Sequence, residues 1–309
     1  PDEATGDVVS DAIFDRNRRI EERFNCKITE QSDGTGAWRD HTQYIQTAVM
    51  SGEDEFDITM NHTLGGPNIS LDGCFMNLYD LDHLNFSKPW WSEQMINELT
   101  LEGQLYLVGD VIGLDALKSA YVLYLNKQKF DDYDMALPYQ DVIDGKWTLD
   151  VMGEWAAAVS KDLNGNGEVD YTDAFGIGTD SGNAFVAMVY SCGVNALKND
   201  SGGRPQLNLN NEHTVNAIDK VMALYSQPEI SINCEDYRGK DTGSLDYNSV
   251  ADGAFYEGRL LFNASFPHSL KNYSAKCVDD YGVIPFPKYD DRQTSYMTYA
   301  DNFGMLFCV

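Results

Sequence analysis

The chain predicts an α/β protein of two lobes, and three observations carry that reading. Its 309 residues exceed what one hydrophobic core usually serves. Residues 10–110 alternate helical and extended patterns, the rhythm of a largely parallel sheet with helices on its faces. Residues 127–280 are helix-rich and broken by loops of Gly, Asn and Asp. Apolar residues make up 43% and aromatic residues 12%, which suits a packed interior and argues against disorder.

The elements follow in order. Asp11 can cap a helix whose Ile13, Ile20 and Phe24 face inward. Residues 26–29 read as a short strand, 41–51 as a helix closed by Gly52, and 56–60 as a strand. Two apolar segments, 105–108 and 121–125, flank a polar connection, and a helix begins near Lys129. Thr148 can cap a helix with Leu149, Met152, Trp155, Ala156 and Val159 on one face. Trp147 and Trp155 read as core, and Trp90-Trp91 as packing within a lobe. Residues 174–177 read as a strand. Val215, Ile218, Met222 and Tyr225 give a further inward stripe, and residues 250–262 a helix leading into a strand.

The net charge of −27 excludes nucleic acid and anionic membrane as direct partners, because phosphate binding needs clustered Lys and Arg. No run of 18 apolar residues spans a membrane, and no signal peptide opens the chain. Pro1 begins in mid-sequence and Val309 ends inside an apolar run, so the chain reads as truncated at both ends. The 6 cysteines show no CxxC and no metal-ligand spacing. Most read as buried thiols, with one disulfide open to an exported protein. HExxH, GxSxG, Walker and GxGxxG motifs are absent, and the histidines are scattered.

The sharpest local motif is Asp162-Leu163-Asn164-Gly165-Asn166-Gly167-Glu168-Val169-Asp170-Tyr171-Thr172-Asp173. Oxygen-bearing side chains at Asp162, Asn164, Asn166, Asp170 and Asp173 fall at the spacing that wraps six to eight oxygens about one Ca2+. Glu168 supplies its backbone carbonyl, and Gly167 sits where the loop turns sharply. Asp173 stands where such loops usually carry Glu. A plain Asn/Gly turn is the alternative. A single loop of this kind, between a helix and a strand, predicts a structural ion.

Several segments, in order, resemble the family-1 extracellular solute-binding proteins of ABC importers, which mostly capture sugars. Gly103-Gln104-Leu105-Tyr106 stands where that family has GKIYG, and Leu123-Tyr124-Leu125-Asn126-Lys127 where it has LYYNK. Trp147-Thr148-Leu149-Asp150 is similar to TWDEF, and Glu55-Phe56-Asp57-Ile58 to the PDVV strand. Residues 73–81 resemble GxLxDLxDL, residues 254–262 AFxxGKAAM, and residues 281–287 xGVxPLP.

The resemblance implies a bilobal periplasmic-binding-protein-like fold. Lobe one is then 1–115 plus 292–309, lobe two 116–291, and the hinge lies near 115–119 and 289–296. It also implies an extracytoplasmic bacterial protein, lipid-anchored or periplasmic, monomeric and without catalysis. Such a protein captures a carbohydrate by lobe closure and delivers it to an ABC permease. In open α/β sheets ligands sit beyond the carboxyl ends of strands. That rule, with the need for aromatic faces and planar polar groups at a sugar site, selects Trp38, His62, Thr63, Asn183, Phe185, Ser265, Phe266, Asp301 and Asn302. A secreted carbohydrate-active enzyme with a structural calcium, and a ligand sensor for a membrane kinase, are the alternatives.

Overall fold

A computed structural model describes residues 5–32, 34, 36–109, 117–179, 182–243, 245–300 and 305–309. The first lobe opens with α1 (Val8–Phe24), α2 (Trp38–Ser51), β1 (Thr59–His62), α3 (Gly66–Ser70) and α4 (Glu93–Leu99). It is completed from the far end of the chain by β9 (Met305–Cys308). The second holds β2 (Val122–Asn126), α5 (Lys127–Asp132), α6 (Tyr139–Ile143), α7 (Leu149–Val159), β3 (Phe175–Thr179) and α8 (Gly182–Ser191). It continues through β4 (Leu197–Asn199), β5 (Pro205–Leu207), α9 (Glu212–Tyr225), β6 (Ser231–Asn233), α10 (Val250–Tyr256), β7 (Leu260–Ser265), α11 (Leu270–Lys276) and β8 (Tyr281–Ile284).

Lobe two is a three-layer sandwich around a five-stranded sheet of order β6-β3-β7-β2-β8. β3 runs parallel to β6 and β7, and β2 runs antiparallel to β7 and β8. One sheet face packs Leu123, Leu125, Ile177 and Phe262 against α7, α8 and α9. The other packs Tyr124, Phe175 and Ile232 against α10 and Tyr273 of α11. Every residue of β3 and β7 is buried, as strands covered on both faces must be. Trp147 sits fully buried beneath this sheet, with its indole N–H donating to the Pro285 carbonyl at 3.0 Å. Asn126 ends β2 and caps α5, its side chain accepting from the Lys129 N–H at 3.0 Å.

Lobe one corrects the sequence expectation. Its described sheet is an antiparallel pair, β1 with β9, not a parallel array. Leu306 and Cys308 point to one small core with Ile45, Ile69 and Leu107, while Phe307 joins Leu78, Ile96 and Leu105 on the other face. Residues 26–29 form no strand. The first helix is capped by Asp7, which accepts from the Ser10 N–H at 2.8 Å, and Asp11 lies within its first turn. Its expected inward stripe is not buried: Ile20 is 39% and Phe24 61% exposed. The amphipathic pattern was there, but no described element packs over it.

α9 shows a similar slip by one position. Its buried stripe is Thr214, Ala217, Val221 and Leu224, while Val215, Ile218 and Met222 face outward. Periodicity alone could not separate two adjacent apolar stripes on one helix. α2 ends at Gly52 with φ 75°, as the C-terminal glycine predicts. All six cysteines are free thiols, and four of them are buried.

Candidate functional site

The strand directions place the site. The carboxyl ends of β3, β6, β7 and β8 and the start of β2 share one edge of the lobe-two sheet. The chain crosses between lobes at that edge. Ala120 pairs with Ala300, and the Tyr121 N–H donates to the Tyr299 carbonyl at 2.9 Å. Five steps along the chain from Ala300 stands Met305, which pairs with His62 at the end of β1. The covalent chain therefore holds these two strand edges within about 18 Å of each other. The strand-end rule directs a ligand to the space between these two edges.

A line of rings occupies the lobe-two side. Phe266 packs on Tyr121 with centroids 4.1 Å apart and stacks on His268 at 5.2 Å and 18°. Tyr121 contacts Tyr299 at 6.2 Å, and Tyr299 contacts Tyr190 edge-on at 5.9 Å. Phe266 is 6% exposed and belongs to the lobe-two core. Ser265 is buried beside it and its hydroxyl donates to Ser269 Oγ at 3.4 Å. Asn183 stands exposed in the first turn of α8, at the mouth. Phe185 instead packs on the lobe-two core, edge-on to Tyr225 at 6.2 Å.

On the lobe-one side, Trp38 begins α2 and stacks on His62 with centroids 5.1 Å apart and planes 13° apart. The Arg39 guanidinium lies over the Trp38 ring at 4.7 Å. The approach needs Gly65: a Cβ there would fall 2.1 Å from Thr42 Oγ1 and 3.3 Å from the Trp38 ring. Thr63 follows His62 directly and is half-buried. Two predicted pairs are thus brought together, Trp38 with His62 and Ser265 with Phe266. Asp301 and Asn302 lie outside the described residues. Tyr121, 1% exposed, belongs to the lobe-two core, and Tyr190 is half-buried.

Beneath the cleft lies a polar knot. Asp252 accepts from Asn263 Nδ2 at 2.7 Å and from the Tyr273 hydroxyl at 2.8 Å. Burial holds the Asp252 carboxyl above its ordinary range, against the lowering effect of those two bonds. Asn263 Oδ1 is buried with no hydrogen-bond partner, and a Cβ on Gly178 would fall 2.6 Å from it.

The predicted calcium loop is tightly self-bonded. Asp162 accepts from the Gly165 and Gly167 N–H groups at 2.6 and 2.9 Å. Asn164 and Asn166 each turn an amide nitrogen toward Asp170 Oδ2, at 3.4 and 3.3 Å. The Thr172 hydroxyl, first, and its N–H hold the Asp170 carboxyl below its ordinary range. Asp173 is 2% exposed and uses both oxygens on the Leu163 and Asp170 N–H groups. Glu168 is exposed, and its N–H donates to Asn166 Oδ1 at 2.7 Å. Among the described residues no three His, Cys, Asp or Glu side chains already stand as a metal-holding group.

Two α/β lobes joined by a paired crossing, with strand ends turned to the gap between them, define the fold of the bilobal periplasmic binding proteins. Solved structures agree. The chain is similar to UgpB of Mycobacterium tuberculosis in complex with glycerophosphocholine, at 16% identity and TM-score 0.61, over 97% of this chain and 66% of that one. It is similar to a sugar transporter of Rhizobium etli in an open conformation, at 15% identity and TM-score 0.65, over 94% and 66%. It is also similar to an ABC substrate-binding protein of Listeria monocytogenes in complex with cycloalternan, at 14% identity and TM-score 0.59, over 97% and 67%. The chain spans about two thirds of the length of these structures. No family model and no curated protein matches it.

Proposed function

We propose that the protein is an extracytoplasmic solute-binding protein that captures a carbohydrate between its lobes and hands it to an ABC permease, without turnover. The observation that supports this most is a group of rings near the strand ends of each lobe, Phe266 with Tyr121 and His268 on one and the Trp38–His62 stack on the other. Aromatic faces suit the apolar side of a sugar ring, and Asn183, Thr63 and Ser265 supply amide and hydroxyl groups for its polar edge. Similar structures include complexes with cycloalternan and with maltotriose, which supports the same reading. Lobe one is taken as 1–115 plus 292–309 and lobe two as 116–291, closing about a hinge near 115–119 and 289–296. The protein acts as a monomer, lipid-anchored on the outer face of a bacterial membrane or periplasmic. No described helix is long and apolar enough to cross a membrane.

The Asp162–Asp173 loop is proposed to hold one structural Ca2+. Asn164 and Asn166 already converge on Asp170, and turning their amide oxygens inward adds ligands beside Asp162 and Asp170. Asp173 joins them by releasing one of its backbone contacts. Both readings are tested by thermal melts of the chain against a sugar library, with calcium and with EDTA. A ligand at about 100 times its Kd adds about 2.7 kcal/mol and raises the melt by a few degrees. W38A and N183A should weaken that shift. No sugar-dependent shift in a folded sample overturns the carbohydrate reading.

A further inference from the structure

The lobes also meet at Tyr190, the ring next to Tyr299. Tyr190 closes α8, eight residues beyond Gly182 at the cleft mouth, so it stands about 12 Å further along that helix. There its hydroxyl accepts from Gln94 Nε2 of α4 at 2.9 Å. Beside it the Asn199 amide donates to the Asn97 carbonyl at 3.3 Å, and Arg204 Nε reaches Glu102 Oε1 at 2.9 Å. A gap of about 870 Å³ remains between α4 and the wall made by Tyr190, Asn195 and residues 295–298. All three bonds join lobe one to lobe two.

Both partners of the ion pair sit on purpose-shaped tips. Glu102 occupies the left-handed region at φ 50°, followed by Gly103 at φ 81°, in a two-residue turn between Leu101 and Gln104. Gly, Asn or Asp is the ordinary occupant of such a position, and a glutamate there is strained. Strain at a residue whose side chain reaches another lobe points to a role for that side chain. Arg204 ends the turn of the β4–β5 hairpin, where Asp200 Oδ1 accepts from the Gly202 and Arg204 N–H groups at 2.8 and 3.0 Å. All six strand residues of that hairpin are exposed, so it contributes little to the lobe-two core.

We propose that Glu102, Arg204, Gln94 and Tyr190 form a clasp that holds the lobes at the separation seen in this structure. The clasp rests on the bilobal reading but on no particular ligand. Breaking it releases the lobes toward other separations, and its ionic part weakens with salt. Exposed ion pairs contribute about 0.2–1 kcal/mol, so the ratio of lobe arrangements should change by up to about fivefold.

The test is the distance between fluorophores at M50C in lobe one and I143C in lobe two, in a C26S background. Both labelled positions are exposed and lie outside the clasp and the cleft. Single-molecule distances on the unliganded protein should shift for E102R and for R204E, and return in the E102R/R204E exchange. In 0.5 M NaCl the parent should come to match the single variants. E102G, which relieves the strained turn, should keep the fold and still shift the distances. One unchanged distance across all variants and salt concentrations overturns the clasp. No sugar enters this readout, so failure of the carbohydrate reading leaves it unaffected.

Discussion

Gly176, inside β3, is the sharpest point at which to perturb lobe two. A Cβ there would lie 2.3 Å from both Cα and O of Ala156, backbone atoms of α7. Restoring ordinary van der Waals contact requires strand and helix to part by about 1 Å, and backbone cannot swing aside as a side chain can. α7 carries Met152, Ala156 and Val159, each at most 1% exposed, so its retreat loosens their whole contact surface. Overpacking of this kind costs about 1–3 kcal/mol, and the backbone partners place G176A at the upper end. The assay is urea unfolding at constant slope, with calorimetry to follow the lobe-two transition, which should fall by about 2–4 °C for each kcal/mol. G182A is the control, since a Cβ at Gly182 meets nothing within 4 Å. A G176A loss below about 0.5 kcal/mol, the level of an ordinary surface change, would refute the close-contact argument.

Three further outcomes follow from the same geometry. Asp252 has a raised carboxyl pKa in the fold, so its contribution to stability is present below the unfolded value and is lost as pH rises through the folded one. D252N should therefore unfold at higher urea than the parent at neutral pH and show a flatter stability profile across the acid range. D162A should abolish any calcium-dependent rise in the melt while leaving a sugar-dependent rise intact. Arg259 donates from Nη1 to the Tyr171 and Asp173 carbonyls at 2.6 and 2.9 Å, so R259M should cost at least about 1.5 kcal/mol by urea titration.

The sequence was most legible where local chemistry and burial agree. Gly52 and the apolar face of residues 149–159 each met a constraint of their own element, and each stands where the pattern puts it. Lobe one was less legible because its pairing is long-range. Nothing near Thr59 in the chain announces Cys308 as its partner. Helix stripes misled at α1 and α9, since periodicity reports an apolar face without saying whether anything covers it. Of the residues chosen for the ligand, Trp38 and His62 stack on each other, whereas Phe266 joins the lobe-two core with Tyr121, a packing that strand-end position alone does not reveal.

The β1–β9 pair also sets an order of assembly. The lobe-two sheet is continuous in the chain, so it can fold without waiting for residues beyond β8. Lobe one cannot. Thr59 must wait through 249 residues for Cys308, and its two small cores remain open until Leu306 and Phe307 arrive. The early third of the protein is thus the last to finish, a long-range closure that slows its folding.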